Sequence, residues 1–165
     1  MRSIPPTMIG ANRWLRWRLI ERNGRMSKLP IMANGRTASS TNPDTWTRLL
    51  DVMDSDEGQG VGFALGDGFG CIDLDHAVDA EGFIEPWAER ILERAPLTFI
   101  EVSQSMRGLH IWGRLPEGKG RNLRSKGMTV EVYSTGRFIA LGGQVWEHSA
   151  PFLADLTPLA NELVS

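Results

Sequence analysis

The chain has 165 residues, 41% of them apolar, a single cysteine and a formal net charge of −2. That length and apolar share suffice for one packed domain. The lone Cys71 excludes an internal disulfide and a cysteine-based zinc site, and the absence of any 18-residue apolar run or apolar leader predicts no membrane segment and a cytoplasmic location. Charge is unevenly spread: residues 1–50 carry nine Lys/Arg against two acids, 51–100 two against twelve, and 101–165 seven against six. Basic stretches around an acidic centre suit a polyphosphate or nucleic-acid partner with bound cations between. Without cysteine ligands those cations would take oxygen or histidine, which favours Mg²⁺ or Mn²⁺.

In chain order, residues 13–19 interleave Arg13, Arg16 and Arg18 with tryptophan and leucine and predict a strand with a basic fringe. Asn23-Gly24 turns the chain. Pro30 keeps Leu29 out of helix, and Lys28 beside it is either solvated or a phosphate contact. Asn42-Pro43-Asp44 supplies an N-cap, an N1 proline and a first-turn acid. The helix it opens should bury Trp46, Leu49, Leu50 and Met53. Residues 60–65 read as a strand, and 66–70 as a turn between antiparallel neighbours. The stretch 70–75, Gly-Cys-Ile-Asp-Leu-Asp, would then be the second arm of a hairpin. Strand alternation puts Asp73 and Asp75 on one face and Ile72 and Leu74 in the core. Like charges so held repel, and divalent cations relieve the repulsion. A bare Asp-x-Asp also fits two solvated side chains at a strand edge.

Ile84, Trp87, Ala88, Ile91 and Leu92 predict a second amphipathic helix, closed by Pro96. A strand at 98–102, a polar turn at 103–108 and a short strand at 109–113 follow, the last carrying His110 in a structural or a site role. Arg114, Lys119, Arg121, Arg124 and Lys126 face one acid, Glu117, in what reads as a mobile basic loop suited to a phosphate backbone. Residues 128–133 alternate as a strand with Glu131 and Tyr133 on one face, 134–136 turn, and 137–143 return. The tail from Ser149, with Phe152, Leu153 and Leu156, reads as a helical packing segment kinked at Thr157-Pro158. Trp14, Trp17 and Trp112 are expected in the core before any role in base stacking. Asp73, Asp75 and Glu131 on neighbouring strands are the set that can hold two divalent ions for in-line phosphoryl displacement.

The ordered series Trp17, Lys28-Leu29-Pro30, the helix that includes Trp46, Val61-Gly62-Phe63, Ile72-Asp73-Leu74-Asp75, Ser103-Gln104-Ser105, Gly108-Leu109-His110, and Glu131-Val132-Tyr133 with Arg137-Phe138 resembles the archaeo-eukaryotic primase superfamily. It is most similar to the bifunctional primase-polymerase domains of phages and plasmids, over residues 12–143. The resemblance implies an α/β (α+β) primase-like catalytic core, with an RNA-recognition-motif-like sheet of mostly antiparallel strands and flanking helices. The whole chain would be one primase-polymerase catalytic domain, ending in the packing segment 149–165. It implies Asp73, Asp75 and Glu131 as metal ligands and His110 as a catalytic and phosphate-contacting residue. Ser103, Ser105, Arg137 and Lys28 become nucleotide contacts. Arg13, Arg16, Arg18 and the five basic residues of 114–126 are then expected on a single-stranded DNA template.

The implied activity is template-dependent addition of dNTP or NTP. A DNA-binding accessory module and a metal-dependent nuclease are the alternatives. The family's serine turn has glycine where this chain has Met106, and a side chain there restricts the backbone. Such domains are often fused to a helicase or a priming module, so a separate replicative helicase is the expected partner and unaided primer initiation is in question.

Overall fold

The computed structural model describes residues 4–164; Met1 to Ser3 and Ser165, which the sequence reading spans, lie outside them. Helix α1 (Pro6–Ile9) precedes β1 (Trp14–Arg22) and β2 (Arg25–Ile31), then α2 (Leu49–Met53), β3 (Gly60–Ala64), β4 (Phe69–Asp75) and α3 (Pro86–Arg94). Strands β5 (Ile100–Val102), β6 (Leu109–Arg114), β7 (Arg121–Ser125), β8 (Met128–Tyr133), β9 (Phe138–Ala140), β10 (Gln144–Val145) and β11 (Ala154–Asp155) lead to α4 (Thr157–Val164). This is a mixed α+β fold of mostly antiparallel strands in two sheets. One runs β2-β1-β3-β9, the other β10-β5-β6-β4-β8-β7, with β11 added in parallel to the end of β6.

Of the two expected hairpins, the first forms only its tip, where Gly66 and Phe69 exchange both main-chain hydrogen bonds, and the second does not form. Strand β3 pairs with β1 and β9, whereas β4 pairs with β6 and β8. Likewise β8 does not pair with the strand that follows it. The same two stretches of chain run side by side in both sheets, as a two-stranded ribbon bent at residues 65–68 and 134–137. There the Leu65 N–H donates to the Arg137 carbonyl at 2.9 Å. Gly66 (φ 132°), Gly68 (φ 85°) and Gly136 (φ 72°) take backbone angles that side chains resist. The ribbon therefore turns a corner where short-range pattern predicts a simple reversal.

The large sheet divides its two faces by alternation. Ile72 and Leu74 of β4, with Ile100, Leu109, Ile111, Val130 and Val132, pack under α3 and α4. On the opposite face the first half of β4, Phe69 and Cys71, joins Trp14, Phe63, Phe99, Trp112 and Ile139 in a second core. Trp14, Trp17 and Trp112 are at most 1% exposed. Their indole N–H groups are spent on the Met8 carbonyl, the Val61 carbonyl and the Glu101 carboxylate. Taking one out of the core costs about 3–5 kcal/mol, more than the roughly 1–3 kcal/mol of stacking a base, so they stay core residues.

Two local expectations are corrected. Asn42 does cap, accepting from the Asp44 N–H, but it caps a single 3₁₀ turn, Pro43–Thr45. Trp46 is extended because Thr47 bridges to Trp14 at the start of β1. The helix restarts at Leu49 in a new phase, burying Leu49 and Val52 while Leu50 and Met53 are exposed. The tail is not helical before Thr157: it bends at 151–152, and Ala154 and Asp155 then pair with Gly113 and Arg114; helix begins only at Thr157, with Phe152 exposed and Leu156 buried.

Candidate active site

Cross-strand register builds one polar row over five strands: Asn122 opposite Glu131, Glu131 opposite Asp73, Asp73 opposite His110, and His110 opposite Glu101. Paired residues in antiparallel strands share a face, so all five point to the side of β4 that carries Cys71. Toward Phe69 that side is covered by the second core; beyond Cys71 it opens. Exposure rises along the strand accordingly, from 0% for Cys71 to 25% for the Asp73 side chain and 53% for Asp75.

The open part is a cleft of about 570 Å³. Asp73, Asp75, His110, Ser103 and Ser105 line it from the large sheet and its 103–108 turn; Lys28 and Pro30 of β2 and residues 136–140 line it from the other side. The bent ribbon is what brings Lys28 and Arg137 opposite the aspartates. Arg137 lies 3.9 Å over the Tyr133 ring and the Lys28 ammonium 5.4 Å from the Trp17 ring centre, which orients both cations.

His110 is almost fully buried. Its Nδ1 meets Glu101 Oε1 at 2.9 Å, and its Nε2 stands 3.8 Å from Asp73 Oδ1. Burial works against the charged imidazole, but the Glu101 hydrogen bond and the charges of Asp73 and Glu101 outweigh it and raise its pKa. The Asp73 pKa is raised as well, first by burial and then by Asp75 and Glu131, with His110 pulling the other way. Carboxylate oxygens gathered around Asp73 in this way are hard donors, the kind a divalent cation takes up. Glu131, however, accepts from Arg124 Nη2 at 3.3 Å. Among the described residues no three His, Cys, Asp or Glu side chains converge on one point. Asp73 and Asp75 therefore fit as the cleft's cation ligands, while Glu131, one strand over, has its Oε1 engaged by Arg124.

The 103–108 turn closes through mutual bonds: the Ser103 N–H donates to the Gly108 carbonyl at 2.8 Å and the Gly108 N–H to Ser103 Oγ at 3.0 Å. Met106 sits at φ 64°, so the turn keeps a glycine-like backbone while carrying a side chain. Ser103 Oγ and Ser105 Oγ lie 3.1 Å apart at the cleft edge.

The basic residues separate. Residues 114–126 are not a loop: Arg121–Ser125 is strand β7, joined to β8 by a two-residue turn with Lys126 at φ 49° and Gly127 at φ 81°. Alternation sends Arg121 to the helix side, where it donates to Asn161 of α4, and Arg124 to the acid side. Arg114 packs over Phe69. On β1, Arg16 and Arg18 project from the face opposite Lys28, since their cross-strand partners are Ile31 and Leu29. Arg16 donates to the Val52 and Glu57 carbonyls and Arg18 pairs with Glu57. Arg13 donates to the carbonyls of Ala64 and Leu65, and burial lowers its pKa. These three arginines hold the fold's own main chain and loops. Sequence reasoning missed Glu101, whose only local signal is an acid placed among the apolar residues of a short strand.

A bent two-sheet α+β core that sets an Asp-x-Asp strand against a serine turn, a histidine and two cations fits the primase-polymerase class that the ordered motifs resemble. The chain belongs to that class: the family model for the N-terminal domain of bifunctional DNA primase/polymerases matches residues 5–159. It is similar to a DNA primase-polymerase of Nitratiruptor phage NrS-1, 33% identical over 155 residues covering 86% of this chain. The chain spans 21% of that relative's length. Among the described residues no helix is long and apolar enough to cross a membrane.

Proposed function

We propose that this domain is the nucleotidyltransferase core of a DNA primase-polymerase, extending a primer, or joining to a first nucleotide, on a single-stranded DNA template. The observation that carries this is the cleft itself, where two strand-borne aspartates face His110, Lys28 and Arg137 across a space large enough for a nucleoside triphosphate. The primer 3′-hydroxyl gives up its proton to solvent and attacks the α-phosphate, forming a new P–O bond as the bond to pyrophosphate breaks. Lys28 and Arg137 neutralise the triphosphate, His110 donates to it through Nε2, and the Ser103 and Ser105 hydroxyls complete its polar lining. Asp73, Asp75 and Glu131 would hold divalent cations, Mg²⁺ or Mn²⁺, which would supply charge neutralisation at the reacting phosphate. Catalysis on this reading is positioning and electrostatics. A helicase acting in the same replication process is the partner it implies.

The test is primer extension and de novo dinucleotide synthesis by the 165-residue chain, with dNTPs or NTPs and with Mg²⁺ or Mn²⁺. Template-directed incorporation is expected. DNA binding without incorporation would make the domain an accessory module, and shortening of the primer would make it a nuclease.

A further inference from the structure

Glu101 is the one carboxylate among the described residues shut from water, at 2% exposure, and no substrate-facing role falls to it. Its neighbours on β5, Ile100 and Val102, alternate into the core under α3. An apolar residue would fill the Glu101 position at lower cost, since a buried carboxylate is tolerated only when its lone pairs are met. They are met by three N–H groups. His110 Nδ1 at 2.9 Å and Trp112 Nε1 at 3.2 Å end on Oε1, and the main-chain N–H of Gly142 ends on Oε2 at 3.1 Å.

The two oxygens serve two parts of the cleft. Oε1, an acceptor, keeps the proton on His110 Nδ1 and so fixes the ring with Nε2 turned toward Asp73 and the cleft. Oε2 anchors the chain just after β9, the strand whose residues wall the cleft opposite His110. That anchorage is close: a Cβ added to Gly142 would stand 1.7 Å from the Val102 carbonyl oxygen. Glycine alone lets the segment settle onto β5.

We propose that Glu101 is a positioning residue for the nucleotide site, setting both the orientation of His110 and its spacing from the wall formed by 137–140, so that the phosphate-binding groups are in place before a nucleotide arrives. The proposal rests on the nucleotide-site reading above. Supporting groups that orient a metal-ligating histidine typically contribute about 10- to 100-fold in affinity or activity, and a phosphate-binding histidine held the same way sets the same scale.

The experiment compares wild type with E101Q, H110A and the double variant in primer extension, resolving KM for nucleotide from kcat, and records ¹⁵N NMR of the imidazoles. The chain has only three histidines, which makes the His110 signals assignable. We expect E101Q to melt as a folded protein and to raise KM about 10- to 100-fold with a smaller change in kcat. Its His110 nitrogens should shift away from the wild-type pattern of a protonated Nδ1. In the H110A background, E101Q should keep only the part of its effect that runs through the Gly142 anchor, a smaller fold-change in KM than in the wild-type background. Should E101Q fail to fold, E101D, which keeps the carboxylate but withdraws it by one methylene, should give an intermediate KM. An unchanged KM in the folded variant, His110 signals that do not move, or losses that multiply in the double variant would overturn the proposal. The NMR arm needs no turnover: if the wild-type chain neither binds nor extends nucleotides, the functional reading fails by itself and the Glu101–His110 coupling is still decided.

Discussion

The cleft has two unlike flanks. On the side of β2, the 103–108 turn and β9, the polar groups are held before any ligand arrives: His110 by Glu101, Arg137 over Tyr133, Lys28 near Trp17, and the two serines by each other. On the side of the β7–β8 hairpin, Arg124 is 69% exposed and paired only with Glu131, and Lys126 sits at the tip of a two-residue turn. A fixed arrangement of donors suits a small anion of constant shape, because side-chain ordering is already done. Long exposed cations suit a polymer backbone whose phosphates arrive in many registers. Under the proposed function the first flank takes the nucleotide and the second the nucleic-acid strand, with the aspartates between them.

The harshest way to break that division is to remove what lies between. D73N with D75N should reduce incorporation by at least about a thousandfold, several kcal/mol of transition-state stabilisation, as measured by single-turnover extension. The fold should survive. Because burial and the neighbouring acids raise the Asp73 pKa, the native state favours its protonated form, and stability is lost as pH rises through that raised value. D73N should therefore melt no lower than wild type at neutral pH. A collapsed melt would make the pair structural.

Smaller, and confined to the first flank, is the effect of K28A or R137A. On the proposed function each would remove one charge-assisted hydrogen bond to the triphosphate, worth about 1.5–3 kcal/mol. KM for nucleotide should then rise roughly tenfold or more, while affinity for single-stranded DNA, read by anisotropy, stays put. A parallel drop in DNA affinity would merge the two flanks.

The second flank is addressed by R124E with K126E. DNA affinity should fall, and the slope of log K against log salt should flatten by about 0.7 for each phosphate no longer neutralised, with nucleotide binding retained. R121E, on the opposite face of the same strand, is the control expected to leave DNA binding alone. If R121E matches the double reversal, the strand lies over the helices instead.

The mildest test sharpens the first flank. Met106 is half exposed at φ 64°, so M106G gives up little packing and relieves a left-handed conformation that costs an L-residue about 1–2 kcal/mol. Glycine's extra freedom in the unfolded chain offsets part of that gain. A net rise of a few tenths to about 1 kcal/mol, a few degrees in Tm, is expected by calorimetry.

Much of the site was legible in the residues alone. Alternation is a local property of extended chain, so Asp73 and Asp75 on one face, with Ile72 and Leu74 behind them, follow wherever the strand pairs. The same holds for Glu131 with Tyr133. The ordered motifs also identified the family and the mixed α+β class. Which strand lies beside which is not local, and there the sequence reading went astray. Residues 66–70 and 134–136 have the composition of hairpin turns, yet both carry the chain around the corner between two sheets, because β3 and β9 find their partners in one sheet and β4 and β8 in the other.

Tertiary pairing also sorted the cations. Arg121 and Arg124 look alike in sequence, but their opposite parity along the strand sends one to α4 and the other to Glu131. Arg13 and Arg16 read as a template stripe until their distant carbonyl partners are known. Glu101 was invisible for the same reason. An acid in a short strand is ordinarily solvated, and what makes this one a support for His110 is the arrival of Trp112 from the neighbouring strand and of Gly142 from 41 residues on. Chemistry and face are written along the chain; burial and partnership depend on segments far apart in it coming together, and only the folded structure decides them.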